Sequence, residues 1–256
     1  MASAWPDPPP LFEIDDAGER PTWFTPPSAR LERVGVFDLE TTGVDVANDR
    51  IVTAYVGVLD ADGSVLQAQH WMADPGIEIP EGATAVHGIT TARARAEGRP
   101  AREVVAEVIA ALRDIFAQGV PVVAYNAPFD FSMLKHEALR WGMEPIASPT
   151  PVLDPLVVDK GCDRYRRGKR TLAVVAAHYD VVLEGAHDAS ADAVAAGRLA
   201  LALVERYADL LPVDLDELHA QQIGWAREQA DSLTEYFIRI GRIERDGALD
   251  GSWPIR

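Results

Sequence analysis

The chain has 256 residues, of which 48% are hydrophobic, and this is enough to bury the core of one α/β domain. Forty acidic and 24 basic residues give a net charge of −16, which argues against an extensive basic surface. The sequence has no uninterrupted apolar run of ~18 residues, so we expect no membrane contact. The single Cys162 excludes an internal disulfide and fits a reducing cytoplasm.

Residues 1–30 are rich in proline and acidic side chains and have no hydrophobic periodicity, so we predict a flexible arm. This segment also lacks the basic and apolar regions of a signal peptide, and a cytoplasmic location is expected. Strands are predicted near 33–38, 50–59 and 64–72 from apolar and β-branched runs. Apolar side chains at helical spacing predict a helix over 103–116.

The first predicted strand ends in the sequence VFDLETTG, which carries Asp38 and Glu40. Residues two apart in a strand point to the same face, so the two carboxylates project together. Like charges at this separation raise each other's pKa, and a hard divalent cation such as Mg²⁺ or Mn²⁺ would relieve the repulsion. The alternative for so short a motif is a solvated acidic strand end.

A second predicted strand, 121–125, runs into the sequence YNAPFD. Pro128 suits the first turn of a helix over 128–141, which places Asp130 near the start of that helix. Asp130 either joins the first two carboxylates or only interacts favourably with the positive end of the helix.

A short strand near 151–154 and a helix near 171–178 are predicted next. Between them lies a basic loop, residues 164–170, with the sequence RYRRGKR. We predict that Arg166, Arg167 and Lys169 contact phosphate groups, the alternative being a solvated basic loop.

The third motif is HDASAD, with His187 before a predicted helix over 190–209 and Asp192 in its first turn. Ser190 is predicted as the N-cap. A longer helix, 213–240, follows, and we divide the chain into the arm, a domain over 31–210 and a helical C-terminal extension over 211–256. The apolar side chains of that extension either cover the domain or bind a partner.

As a set, FDLETTG, YNAPFD and HDASAD resemble the motifs of the DEDDh (DnaQ-like) 3′–5′ exonucleases, the family of the proofreading epsilon subunit of bacterial DNA polymerase III. The resemblance covers roughly residues 33–208. A sister group has Tyr four residues before the last Asp; Asp188 stands there, which favours the His subclass. The segment VHGIT, with His87, also resembles the family. The expected fold is α/β: a ribonuclease-H-like mixed five-stranded sheet flanked by helices, with the helical extension.

The resemblance implies two Mg²⁺ (or Mn²⁺) ions at the carboxylates. Asp38 would bridge both ions, Glu40 and Asp192 would complete one site, and Asp130 would hold the other. Two metals about 3.5–4 Å apart stabilise the attacking and leaving oxygens of an in-line displacement. The resemblance also implies that His187 is the general base for the attacking water.

Six further residues are expected to contact the last nucleotides: Leu39, Thr41, Thr42, His87, Asn126 and Phe129. For Leu39 and Phe129, ordinary core packing is the alternative.

The leading hypothesis is therefore a 3′–5′ exonuclease acting on single-stranded DNA or frayed 3′ ends, in proofreading or repair. One alternative is a 3′–5′ RNA exonuclease of the same family, since no motif reports on the 2′-hydroxyl. Another is a non-catalytic module that binds nucleic acid or a polymerase. The C-terminal extension is the candidate surface for a DNA polymerase or a homodimer partner.

Overall fold

The computed structural model describes residues 31–183, 188–244 and 247–256. Six strands lie in these ranges: β1 (Arg33–Thr41), β2 (Ile51–Asp60), β3 (Val65–Asp74), β4 (Arg99–Pro100), β5 (Val122–Val123) and β6 (Val152–Leu153). The same ranges contain eight helices: α1 (Glu81–His87), α2 (Thr91–Glu97), α3 (Ala101–Ala117), α4 (Ala127–Arg140), α5 (Pro155–Cys162), α6 (Leu172–His178), α7 (Ala189–Arg206) and α8 (Leu215–Arg239). None of these helices has the length and apolar character needed to cross a bilayer. The predicted arm, residues 1–30, lies outside the described residues.

The strands form one mixed sheet in the order β4-β3-β2-β1-β5-β6. β1, β2 and β3 make an antiparallel meander, whereas β5 and β6 run parallel to β1. The predicted mixed sheet flanked by helices is confirmed, with one strand more than the five expected. The additional strand, β4, has two residues and pairs with the end of β3. β5 and β6 are equally short but lie in apolar runs, whereas β4 consists of the exposed Arg99 and Pro100 and has no apolar signal by which a sequence could reveal it.

The sheet is covered on both faces, and the alternation of side chains along β1 shows which helices cover each face. Phe37 points to the face packed against α3 and α4. Val36 points to the opposite face, against α7. Asp38 and Glu40 share the parity of Val36, so their carboxylates project on the side of α7 at the end of the strand.

Helix α7 lies very close to the sheet at Gly197. A Cβ atom at this position would lie 2.4 Å from Val36 Cγ1 and 2.6 Å from Leu59 Cδ1, so only a glycine fits without movement. The first turn of α7, which holds Asp192, consequently approaches the carboxylates of β1.

Side chains of α8 cover the outer edge of β6. His219 Nδ1 accepts a hydrogen bond from the Val152 N–H at 3.0 Å. Gln222, fully buried, accepts from the Asp154 N–H at 2.7 Å and donates to the Val152 carbonyl at 3.0 Å. These bonds stand where a further strand would pair, so α8 is packed onto the sheet. The boundary at residue 211 between domain and extension stays a prediction.

Candidate active site

Asp38 and Glu40 are half-buried near the end of β1. β1 has β2 on one side and β5 on the other, which fixes the direction of both carboxylates. The register between β1 and β2 shifts after Glu40, where the strand leaves the sheet. The two carboxylates therefore stand together at the edge where the parallel strands β5 and β6 also end.

Asp130 arrives at this edge from the first turn of α4. Its side chain is buried, and its Oδ1 accepts a hydrogen bond at 3.1 Å from the backbone N–H of Leu39, the residue between Asp38 and Glu40. The contact joins residues 91 positions apart in the chain. The second motif is thus hydrogen-bonded directly to the first.

Asp192 comes from the first turn of α7, as predicted from the sequence. The N-cap of this helix is Asp188, whose carboxylate accepts hydrogen bonds from the N–H and hydroxyl of Ser190. The prediction that Ser190 is the N-cap was wrong by two residues. Asp188 is the N-cap because its carboxylate accepts the hydrogen bond from the backbone N–H of Ser190. The structure brings together Asp38, Glu40, Asp130 and Asp192, and it adds Asp188 near them.

The electrostatics of this acidic cluster show how closely the carboxylates crowd one another. Burial raises the pKa of Asp38 well above its usual range, and the charges of Asp130, Glu40 and Asp192 raise it further. The pKa of Glu40 rises to about 7, first through burial and then through Asp192 and Asp188. Burial is also the main cause that raises the pKa of Asp130. The cluster therefore resists full ionisation unless positive charge is supplied to it.

The donor set fits a divalent cation in its chemistry. Carboxylate oxygens are the ligands that Mg²⁺ and Mn²⁺ prefer, and a cation would remove the repulsion that raises these pKa values. Across the described ranges, no three Asp, Glu, His or Cys side chains already stand in the arrangement of a formed metal site.

His187 lies outside the described residues. Its neighbour Asp188 and the start of α7 are described, and they place the end of the third motif beside the acidic cluster.

The residues expected to contact the substrate fall around the same edge. His87 ends α1, where its Nδ1 accepts from the Ile89 N–H at 3.1 Å. Burial lowers its pKa, and the Thr41 backbone opposes that change, so the imidazole lies beside the first motif. Its Nε2, however, makes no hydrogen bond of normal geometry within the described ranges. Thr41 and Thr42 use their hydroxyls to shape the turn after β1, donating to the Gly43 carbonyl at 2.6 Å and to an Asp49 carboxylate oxygen at 2.9 Å.

Leu39 is buried in the core, and Phe129 is partly buried against the same cluster of apolar side chains. Asn126, the N-cap of α4, has a left-handed backbone with a φ of 64°. Asparagine tolerates this conformation better than most residues. Its side chain does not cap the helix, so its amide is not committed to that role.

One buried carboxylate that supports the site was missed from the sequence. Asp154 follows β6, and its oxygens accept hydrogen bonds from the backbone N–H groups of Asn126 at 3.0 Å and Ala127 at 2.9 Å. It also caps α5 through the Leu156 N–H and receives the indole N–H of Trp253 at 3.4 Å. Asp154 thereby fixes the turn that carries the second motif. An Asp before a Pro at a predicted strand end was a usable cap signal.

The basic loop is held partly by internal ion pairs. Arg166 and Arg170 both bind the fully buried carboxylate of Asp159, and Arg166 also pairs with Asp163 at 2.8 Å. In contrast, Arg167 and Lys169 are exposed. The Arg170 carbonyl accepts a hydrogen bond from the Tyr125 hydroxyl at 2.6 Å, which ties the loop to the strand end that precedes the second motif.

The fold and the carboxylate cluster define a ribonuclease-H-like nuclease, and solved structures share the architecture. A crystal structure of E. coli Exonuclease I in complex with a dT13 oligonucleotide matches with a TM-score of 0.59 at 22% identity. The match covers 70% of this chain and 42% of that one. The family model described as "Exonuclease" matches residues 36–200, and this chain belongs to that exonuclease family. The matched range includes all three motifs.

Two relatives by sequence carry DNA polymerase III names. The DNA polymerase III PolC-type protein of Lacticaseibacillus paracasei is 31% identical across 85% of this chain and 17% of its own length. The DNA polymerase III subunit epsilon-like protein of Rhodobacter capsulatus is 37% identical across 48% of this chain and 16% of its own length. The chain thus spans less than a fifth of these relatives. The resemblance to DnaQ-like exonucleases is confirmed.

Proposed function

We propose that the chain is a divalent-metal-dependent 3′–5′ exonuclease that hydrolyses phosphodiester bonds at DNA 3′ ends and releases nucleoside monophosphates, in proofreading or repair. The observation that carries this proposal is the convergence of Asp38, Glu40, Asp130 and Asp192 at one end of the sheet, in a domain of the exonuclease family. The polymerase names of its relatives and the oligonucleotide in the Exonuclease I complex support DNA as the substrate.

In this proposal two Mg²⁺ or Mn²⁺ ions bind the acidic cluster. Asp38 would contact both, Glu40 and Asp192 would complete one site, and Asp130 would hold the other. When bound, the ions supply positive charge that stabilises the attacking and leaving oxygens of the displacement. The hydrogen bond from Leu39 keeps the Asp130 carboxylate oriented before any ion arrives.

His187 is the proposed general base. A water oxygen attacks the phosphorus, its proton passes to neutral His187, and the bond from phosphorus to the 3′ oxygen of the penultimate nucleotide breaks. That oxygen takes a proton from solvent and becomes the 3′-hydroxyl of the shortened strand, and the terminal nucleotide leaves as its 5′-monophosphate. Activity should fall at acid pH, where His187 and the carboxylates protonate, and a flat profile from mildly acidic to alkaline pH would contradict the role. His187→Ala should lower kcat by about 10²–10⁴-fold with little change in substrate binding.

The terminal nucleotide would lie between the first motif and α1. The backbone after Glu40, with Thr41 and Thr42, would hold the 3′-hydroxyl. The imidazole of His87 lies beside the Thr41 backbone. Leu39 and Phe129 would pack against the last bases, with Asn126 as a polar contact.

Arg167 and Lys169 are exposed and available for phosphate groups. Arg166 lies in the same loop and stays in the proposed set of phosphate contacts. Its ion pair with Asp159 also gives it a structural role in holding the loop. Charge removal at Arg167 and Lys169 should raise KM and weaken the salt dependence of binding. An unchanged salt dependence would remove the loop from the substrate path.

The chain's associations are also proposed. A polymerase partner is supported by the relatives' names, while a homodimer and a cytoplasmic location stay predictions from the sequence. The experiment that tests the function is degradation of 5′-labelled single-stranded DNA and RNA with Mg²⁺ or Mn²⁺. Stepwise shortening of DNA supports the proposal, preference for RNA moves the function to RNA processing, and no cleavage of either indicates a binding module.

A further inference from the structure

A large cavity lies between α5, the basic loop and the C-terminal helix α8. Its volume is about 680 Å³, which suits a ligand of nucleotide size. One wall contains Lys160 and Arg164, and the other contains Tyr236 and Arg239 of α8. The second wall lies beyond residue 200, where the match to the family model ends. The cavity is therefore made by this chain's own C-terminal helix together with the exonuclease domain.

The basic side chains that line this cavity differ in whether they already bind a carboxylate. Arg166 and Arg170 are committed to Asp159. Among the described residues, no acceptor forms a hydrogen bond or ion pair with the side chains of Lys160, Arg164 or Arg239. Burial is the main cause that lowers the pKa of Lys160, and the charges of Asp154 and Asp159 only partly oppose it, since neither carboxylate forms an ion pair with the ammonium. Three positive groups are thus available for an anion.

Two carboxylates, Glu228 and Glu235, also line the cavity, and both are exposed to solvent. Solvent screens exposed charges, whereas half-buried Lys160 keeps more of its field. The three cations without a hydrogen-bonded or ion-paired acceptor outnumber the two carboxylates, so the lining is locally basic although the net charge of the chain is −16. The balance favours anionic ligands held by several separated contacts.

The cavity also offers an aromatic surface. Tyr236 is 45% exposed, and the guanidinium carbon of Arg239 lies 5.4 Å from the centre of its ring. Grooves that bind single-stranded nucleic acid combine cations for the backbone with aromatic rings on which bases stack. A site for phosphate alone needs cations but no aromatic ring, so the exposed ring of Tyr236 favours a ligand that also carries a base.

The cavity continues toward the acidic cluster. A second cavity of about 330 Å³ shares Lys160, Gln229 and Leu233 with the first. Its far side is lined by Asn126 and Pro128 of the second motif. A path along the inner side of α8 therefore leads from the second motif to the free cations.

We propose that the cavity between α5 and α8 is a second binding site for the substrate strand, which holds phosphates and a base several nucleotides upstream of the 3′ end. This inference rests on the proposed function, because a strand enters the path from the acidic cluster. Lys160, Arg164 and Arg239 bind the phosphates, and Tyr236 stacks with a base. The C-terminal helix then gives the enzyme a preference for longer single strands.

The test compares binding of fluorescently labelled dT12 and dT3 in EDTA, measured by anisotropy. The double variant Arg164→Gln with Arg239→Gln should weaken dT12 binding about 5–10-fold. The slope of log Kd against log salt should fall by about 0.7 for each lost phosphate contact. Binding of dT3 should not change. The matched control is Arg227→Gln, an exposed arginine on the same helix outside the cavity lining.

Equal dT12 affinities of the double variant and the control would overturn the proposal, as would failure of the wild type to bind dT12. Thermal unfolding of each variant checks that the fold is retained, which is expected because both substituted arginines are exposed. Hydrolysis of the p-nitrophenyl ester of thymidine 5′-monophosphate with Mn²⁺ reports separately on the acidic cluster. If the wild type does not hydrolyse this ester, the proposed function is refuted, whatever the binding data show.

Discussion

Replacing Glu40 with Gln should make the metal-free protein less sensitive to pH. The pKa of Glu40 is about 7 in the folded chain and 4.5 ordinarily, so between these values the folded state holds a proton that the unfolded chain has lost. The resulting stability is complete below about pH 4.5 and is lost as the pH rises through about 7. This difference in pKa corresponds to about 3 kcal/mol in the free energy of unfolding. Solvent screening at a partly exposed carboxylate reduces that contribution to roughly 1–2 kcal/mol.

The assay is urea unfolding in EDTA at pH 5 and pH 8, followed by tryptophan fluorescence. Between these values the wild type should lose roughly 1–2 kcal/mol more of its free energy of unfolding than Glu40→Gln does. Glu205→Gln is the control, since Glu205 is exposed on the same helix as Asp192, about 20 Å along its axis. Identical pH dependence in wild type and Glu40→Gln would refute the argument that burial and the neighbouring carboxylates raise the pKa of Glu40.

Three further substitutions test how the site is held. Asp154→Ala leaves the N–H groups that bind Asp154 without acceptors, so it should cost about 3–5 kcal/mol of stability, seen in urea unfolding, and lower kcat; wild-type stability would contradict its role. Gly197→Ala places a methyl against Val36 at 2.4 Å. The strain of about 1–3 kcal/mol exceeds the gain in helix propensity of about 1 kcal/mol, so Tm and kcat should both fall while KM stays near its wild-type value. Gln222→Leu removes the hydrogen bonds of Gln222 to the Asp154 N–H and the Val152 carbonyl, which should cost about 2–4 kcal/mol in the same unfolding assay; a neutral effect would show that these two bonds do not stabilise the sheet edge.

The sequence revealed the carboxylates because the pattern that places them is local. Parity along β1 follows from spacing alone, so the joint direction of Asp38 and Glu40 could be predicted. The first-turn positions of Asp130 and Asp192 follow from helix-start signals that lie next to them in the sequence. The structure puts all four at one edge of the sheet, where the three motifs had implied a shared site.

The supporting contacts could not be predicted, because they join residues far apart in the chain. Gln222 looks like any polar residue of a helix until its partners on β6, about 70 positions earlier, are known. The ion pair between Arg166 of the basic loop and Asp159 of the preceding helix could not be predicted for the same reason. Buried ion pairs and covered strand edges depend on tertiary packing, which leaves no periodic signal.

The most direct test of the central claim is a single degradation assay. Wild type, Asp38→Asn and the control Glu205→Gln are incubated with 5′-labelled single-stranded DNA and Mn²⁺, with and without EDTA. We expect a ladder that shortens one nucleotide at a time for the wild type and Glu205→Gln, and we expect EDTA and Asp38→Asn each to abolish it. Equal cleavage by Asp38→Asn, or cleavage that persists in EDTA, would contradict a metal-dependent active site at the acidic cluster.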